Sequence, residues 1–161
     1  MALVDTGNHI NEFLINIKDY LDSNISDMDF DGQTVQVIEI GLPNAVPKYP
    51  SIFISDEVNV RLDRDGAAKI RIMPVTLQFY VKYQHRILGA TGTAKFADKI
   101  VALLSGDGDG SSKNYWQTEV GGFQYLIDAV VTDIVPVESR TQGDYRFGYG
   151  FIVFEGRKII N

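Results

Sequence analysis

Apolar residues in 9–23 fall at helical spacing. Ile10, Phe13, Leu14, Ile17, Tyr20 and Leu21 form one stripe, and Asn11, Glu12, Asn16, Lys18, Asp19 and Asp22 fill the other side. The pattern predicts an amphipathic helix, with Asn8 as its N-cap and the polar run Asp22 to Gly32 as the loop that ends it. Thr34 to Ile40 is β-branched and apolar, which suits a strand. Pro43, Pro47 and Pro50 lack the amide donor, so 41–50 reads as an extended loop. A short strand follows at Ser51 to Ser55. Asp56 to Asp65 is polar and reads as a loop closing in the turn signal Asp65-Gly66.

The clearest pattern lies in 68–83. Met73, Val75, Leu77, Phe79, Val81 and Tyr83 take every second position, and Pro74, Thr76, Gln78, Tyr80 and Lys82 take the others. Alternation of this kind predicts a strand with one buried face. Pro74 implies an edge position or a bulge. Thr93 to Ser105 returns to helical spacing through Ala94, Ala97, Ile100, Val101 and Leu104, with Thr91 or Thr93 as cap and Gly106 at its end. A glycine-rich polar loop, 106–122, carries Trp116. Phe123 to Val137 and Tyr145 to Glu155 then form a long hairpin about Gln142-Gly143. In its second strand Tyr145, Phe147, Tyr149, Phe151 and Val153 alternate with Arg146, Gly148, Gly150, Ile152 and Phe154.

The expected fold is α+β in one domain, 1–161, with the order α-β-β-β-α-β-β. Its sheet is mainly antiparallel and both helices pack on one face. Two helices cannot cover two faces of long strands. The second face is expected to show Tyr80 from 68–83, and Ile152 and Phe154 from 145–155, for sister chains or partners to cover.

Composition narrows the chemistry. The 161 residues are 45% hydrophobic, enough for a core. Cysteine is absent, which excludes disulfides, thiol nucleophiles and thiolate metal sites. The first thirty residues hold no continuous apolar stretch, so a signal peptide is not expected, and no run reaches the roughly 18 residues of a membrane span. Net charge is −6. Residues 1–31 hold seven acids and one base, while the rest is balanced at 14 of each. A basic patch of the kind a sequence-specific DNA binder carries is missing.

His9 and His85 lie in different elements without a second ligand at metal spacing, and read as exposed histidines. Gly89 to Lys95 lacks the Gly-Lys-Ser/Thr ending of a phosphate loop and reads as a helix entry. Asp107 to Thr118 lacks the sixth-place glycine and twelfth-place glutamate of a calcium loop. Asp63-Arg-Asp65-Gly66 reads as a turn. Tyr145, Phe147, Tyr149 and Phe151 could stack bases, but only Arg146 and Arg157 lie near in sequence, so a core or interface stripe is the better reading.

Taken together, the acidic first helix, the proline-rich stretch into Tyr49-Pro-Ser-Ile-Phe-Ile54, the strand Arg71-Ile-Met-Pro-Val-Thr-Leu-Gln-Phe-Tyr-Val-Lys-Tyr83, the helix Thr93 to Ser105 and the hairpin Val130 to Phe154 resemble the tail terminator, or tail completion, proteins of long-tailed bacteriophages. The resemblance implies a structural virion protein made in the host cytoplasm. Such a protein forms a ring, usually hexameric, on the tail tube, ends tube elongation and offers a docking surface to the head connector. DNA passes through without specific binding. The family brings no cofactor, no metal and no catalytic residue, and no membrane is involved. An acidic channel wall would suit passage of DNA, with Asp22, Asp27, Asp29 and Asp31 as candidates. Loops reaching neighbours would use Pro43 and Pro47 for stiffness, Tyr49 and Trp116 as aromatic anchors, and Arg61 and Arg64 as intersubunit ion-pair partners. A head–tail adaptor is the near alternative. A ligand-binding or enzymatic α+β domain is the alternative of another class.

Overall fold

The computed structural model describes residues 9–45, 48–66, 68–84, 91–105, 116, 126 and 128–160. The first helix, α1, spans His9–Ser23 as its apolar stripe predicts, and Phe13, Leu14, Ile17, Tyr20 and Leu21 are buried. Asn8, its expected cap, lies outside the described residues. The polar run that follows is partly ordered: a 3-10 turn covers Ile25–Met28 and sends Met28 into the core. Strands β1 (Val37–Ile40), β2 (Ser51–Ile54), β3 (Arg61–Asp65) and β4 (Ala68–Gln84) come next, then helix α2 (Gly92–Ser105) and strands β5 (Asp128–Gln142) and β6 (Tyr145–Ile160).

Six strands form one sheet in the order β1-β2-β4-β6-β5, with β3 also paired to β4. Only β1 and β2 run parallel; the other pairs are antiparallel. The expected α+β architecture holds, with one strand more. Residues 61–65 read as loop because Arg-Leu-Asp-Arg-Asp has almost no apolar content. As a peripheral strand it needs backbone pairing rather than burial, and Gly66 at φ +63° supplies the turn into β4. A second correction concerns His9, which is buried at the start of α1, not exposed. His85 lies outside the described residues.

The pairing of β4 with β6 is the spine of the sheet and runs unbroken from Lys69↔Ile160 to Gln84↔Tyr145. Pro74 lies within it, opposite Glu155. On its other side β3 pairs as far as Ile72 and β2 begins at Leu77, so Pro74 falls in the gap between them. The proline is locally at an edge, where a missing amide costs no ladder bond.

Both helices pack on one face. Met73, Val75, Leu77, Phe79, Val81 and Tyr83 of β4 point into it, as the alternation requires. On β6 the inward set is Gly148, Gly150, Ile152, Phe154 and Gly156. Expectation had placed Ile152 and Phe154 on the second face; both are fully buried beneath the helices. The glycines explain the reversal. A Cβ at Gly156 would come within 2.6 Å of Phe13 Cζ, and one at Gly148 would run into Thr93, so these positions let α1 and α2 approach the sheet. Trp116 fills the space between layers, its ring tilted against Tyr20 (4.9 Å) and edge-on to Phe154 (5.0 Å) and Phe13 (6.3 Å). Its Nε1 donates to the Leu104 carbonyl at 3.4 Å, and Tyr20 Oη donates to the Leu103 carbonyl at 2.9 Å, tying α1 to α2.

The entry to α2 is held from the sheet. Thr93 N donates to Glu138 Oε1 of β5 at 3.0 Å, so a carboxylate of the chain occupies the helix N-terminus. Tyr83 lies beneath it. Burial first, and the neighbouring Glu138 carboxylate second, push its hydroxyl above the ordinary value of 10.0.

Three measurements check this packing. Gly156→Ala should cost about 1–3 kcal/mol in chemical denaturation, as overpacking does. Adding Phe13→Leu should give less than the sum of the two single effects. The one tryptophan should emit at short wavelength in the native state and shift red on unfolding, and Trp116→Ala should cost about 3–5 kcal/mol. Because the folded Tyr83 value is raised, its contribution is complete below pH 10.0 and is lost as pH rises through the folded value. Tyr83→Phe should therefore flatten the alkaline limb of a stability–pH curve.

Candidate functional site

At about 3.3 Å per residue the 17-residue β4 is roughly 55 Å long, whereas the 15-residue α1 is about 22 Å. The helices lie on one face, and no described element covers the other. Register gives its content. From the turn end, Gln84 pairs with Tyr145, Lys82 with Phe147, Tyr80 with Tyr149, Gln78 with Phe151 and Thr76 with Val153. Val135 and Val137 of β5 continue these rows beside Phe151 and Tyr149. Tyr149 is 42% exposed and Tyr145 37% exposed. The uncovered face thus carries the aromatic series of β6, while the glycine series faces the helices.

The aromatic half has its own order. Tyr49 leaves the proline-rich loop and sets its ring edge-on to Phe147 at 5.6 Å. Phe53 of β2 meets Tyr80 at 6.0 Å and is buried on this face. The ammonium of Lys82 lies 4.6 Å from the Tyr145 ring centre, and the Arg140 guanidinium 4.4 Å from that of Phe147. Tyr80 donates to Gln78 Oε1 at 3.0 Å. Burial raises its hydroxyl above 10.0, with Tyr49 and Tyr149 adding to the effect. A hollow of about 190 Å³ lies between Tyr49, Tyr80, Ser139, Arg140, Phe147 and Tyr149. The opposite end of the face is ionic: Arg157 pairs with Asp128, and Arg61 with Glu155 at 3.5 Å.

The sequence candidates fall in several places. Tyr49 belongs to the uncovered face, and half-buried Pro43 precedes it in the same loop. Pro47 lies outside the described residues. Arg61 is engaged within the chain by Glu155, which makes it a poor free partner for a neighbour. Arg64 is exposed beside Leu62, Asp63 and Lys69, around a hollow of about 560 Å³ at the β3–β4 hairpin. Trp116 is only 4% exposed and its ring is spent on the core, so it is no surface anchor. Asp22 pairs with Lys18 at 2.7 Å. Asp31, at φ +52°, accepts the Gln84 amide at 3.2 Å and latches the end of β4. Asp27 and Asp29 are exposed on the helix side. The four acids therefore do not act as one surface.

Chemistry of other kinds finds little to work with. Among the described residues no group of three or more His, Asp or Glu could hold a metal ion, and no helix is long and apolar enough to cross a membrane. The calcium-like stretch 107–118 lies outside the described residues apart from Trp116. Sequence reading missed Lys82 and Arg140 as functional residues. The signal was present: Lys82 follows Tyr80 at two-residue spacing on the same face, and Arg140 stands just before the hairpin turn.

No family model matches this chain, and no curated protein matches it. Among solved structures, a chain from the virion of a native gene transfer agent particle shares its fold. The TM-score is 0.54 at 11% identity, over 91% of this chain and 93% of that one.

Proposed function

We propose that this chain is a structural virion subunit that assembles into a ring, usually hexameric in proteins of this design, and caps a tail tube. The ring ends tube elongation and offers its far side to the head connector. The observation that carries this reading is the uncovered sheet face, whose aromatic residues have been left outside the core of a chain with ample apolar content. Exposed aromatic residues such as Tyr145 and Tyr149, beside half-buried Phe147 and Phe151, suit a surface that is covered in an assembly. The fold shared with a chain of a gene transfer agent virion supports the same class. A protein of this kind works by contact and needs no catalytic group, and a head–tail adaptor would use the same surfaces.

Electron microscopy of the purified protein mixed with tail tubes tests the proposal. Rings with a central hole should appear at one end of the tubes, and tubes assembled with the protein present should stop at a shorter, more uniform length. Unaltered tube growth, with the protein left wholly in the unbound fraction, would overturn the assignment.

A further inference from the structure

We propose that the aromatic half of the uncovered sheet face is the seat for a second copy of this chain, which presents the exposed acids of its 3-10 turn region, so that copies join head to tail. This deepens the ring reading and rests on it for closure of the chain of contacts.

The seat is positive. Lys82 and Arg140 lie over the rings of Tyr145 and Phe147, and neither makes an ion pair with a described residue. The complementary surface is negative. The surplus charge of the protein is concentrated in residues 1–31, and the remainder is balanced. Within that segment Lys18 neutralises Asp22 and the Gln84 amide occupies Asp31. Asp27 and Asp29 remain exposed, their carboxylates without an ion pair to a described residue, while Lys99 of α2 donates to the Asp29 main-chain carbonyl at 2.5 Å. They sit in the helix layer, because the 3-10 turn beside them buries Met28 and the next residue, Phe30, packs on Phe96 of α2 at 5.2 Å.

Donor and acceptor surfaces thus lie on opposite layers of one subunit. A contact between two such different surfaces is heterologous, and its repetition gives a ring when the rotation closes. Pairing through strand edges is the competing geometry, and the edges are poor templates. Strand β5 is broken by bulges at Val131/Asp133 and Glu138/Arg140 and carries Pro136, while β1 has only four residues. A nucleic-acid strand is the competing occupant. A chain of net charge −6 whose cations on this face without an ion pair, among the described residues, are Lys82 and Arg140 lacks the electrostatic footprint for it. Asp27 and Asp29 accordingly belong to the joint between subunits rather than to a channel wall.

Charge reversal tests the assignment without tail tubes. Self-association, read by sedimentation, should weaken about tenfold or more for K82E/R140E and for D27K/D29K. It should also weaken with salt as the screening length falls from about 10 Å at 0.1 M to about 3 Å at 1 M. Mixing the two variants should restore association, since each then offers a surface of the sign the other needs. The second variant changes only exposed side chains and guards against misfolding of the first. Wild-type protein that stays monomeric at its solubility limit overturns the proposal, as do variants that associate normally or a mixture that stays apart. Single-stranded oligonucleotide binding lost in K82E/R140E, with self-association intact, would hand the face to nucleic acid. Association through this joint without capping of tubes would instead retain the joint and refute the tail role.

Discussion

The sixteen-residue antiparallel ladder between β4 and β6 fixes everything else in this molecule. Its length exceeds what two helices of 15 and 14 residues can shelter on both sides, so among the described residues one face is left without a covering helix. Its register fixes which face that is. Gly148 and Gly156 bring the helix layer close, Gly150 makes room for the Phe79 ring, and the same alternation turns Tyr145, Phe147, Tyr149 and Phe151 outward. Tight packing within the subunit and an outward aromatic series are two results of one period-two pattern.

This coupling also explains what could be read in advance. The apolar series of β4 is unambiguous, since polar residues alternate with it, and the structure follows it. On β6 both series are apolar or small, so alternation shows that two faces exist without saying which is inside. The bulkier series suggests the core, yet the space beneath the helices accepts Ile152 and Phe154 with glycines flanking them at Gly148, Gly150 and Gly156. What decides the matter is the approach of Phe13 and Thr93, residues more than fifty positions away in sequence. Burial of Trp116 is equally non-local, because its neighbours come from α1 and β6. Strand β3 escaped notice because Arg61, Leu62, Asp63 and Arg64 are exposed and the strand joins the sheet through its backbone.

The candidate site was legible in part. Tyr49 and the aromatic series of β6 stand out by residue type. Their convergence with Lys82 and Arg140 depends on the cross-strand neighbours set by register, which composition does not encode. The acidic segment was visible as a charge imbalance, but its four aspartates have different duties. One is an ordinary helix-surface ion pair, one is a backbone latch, and two are solvated.

Pro74 has a mechanical consequence. Between Ile72 and Thr76, whose carbonyl accepts the Ser55 amide at 2.8 Å, β4 has a partner on the β6 side only, because β3 has ended and β2 has not begun. Beyond this notch the β3–β4 hairpin extends as a cantilever, braced along one flank. Bending stiffness of a sheet grows with the number of ladders that must distort together; the β2–β4, β4–β6 and β5–β6 ladders all cross the level of Tyr80 and Tyr149, whereas the hairpin tip has β3–β4 and β4–β6, so the tip is the more compliant of the two. A subunit built this way can keep its seat rigid while the far end adjusts to whatever surface it meets.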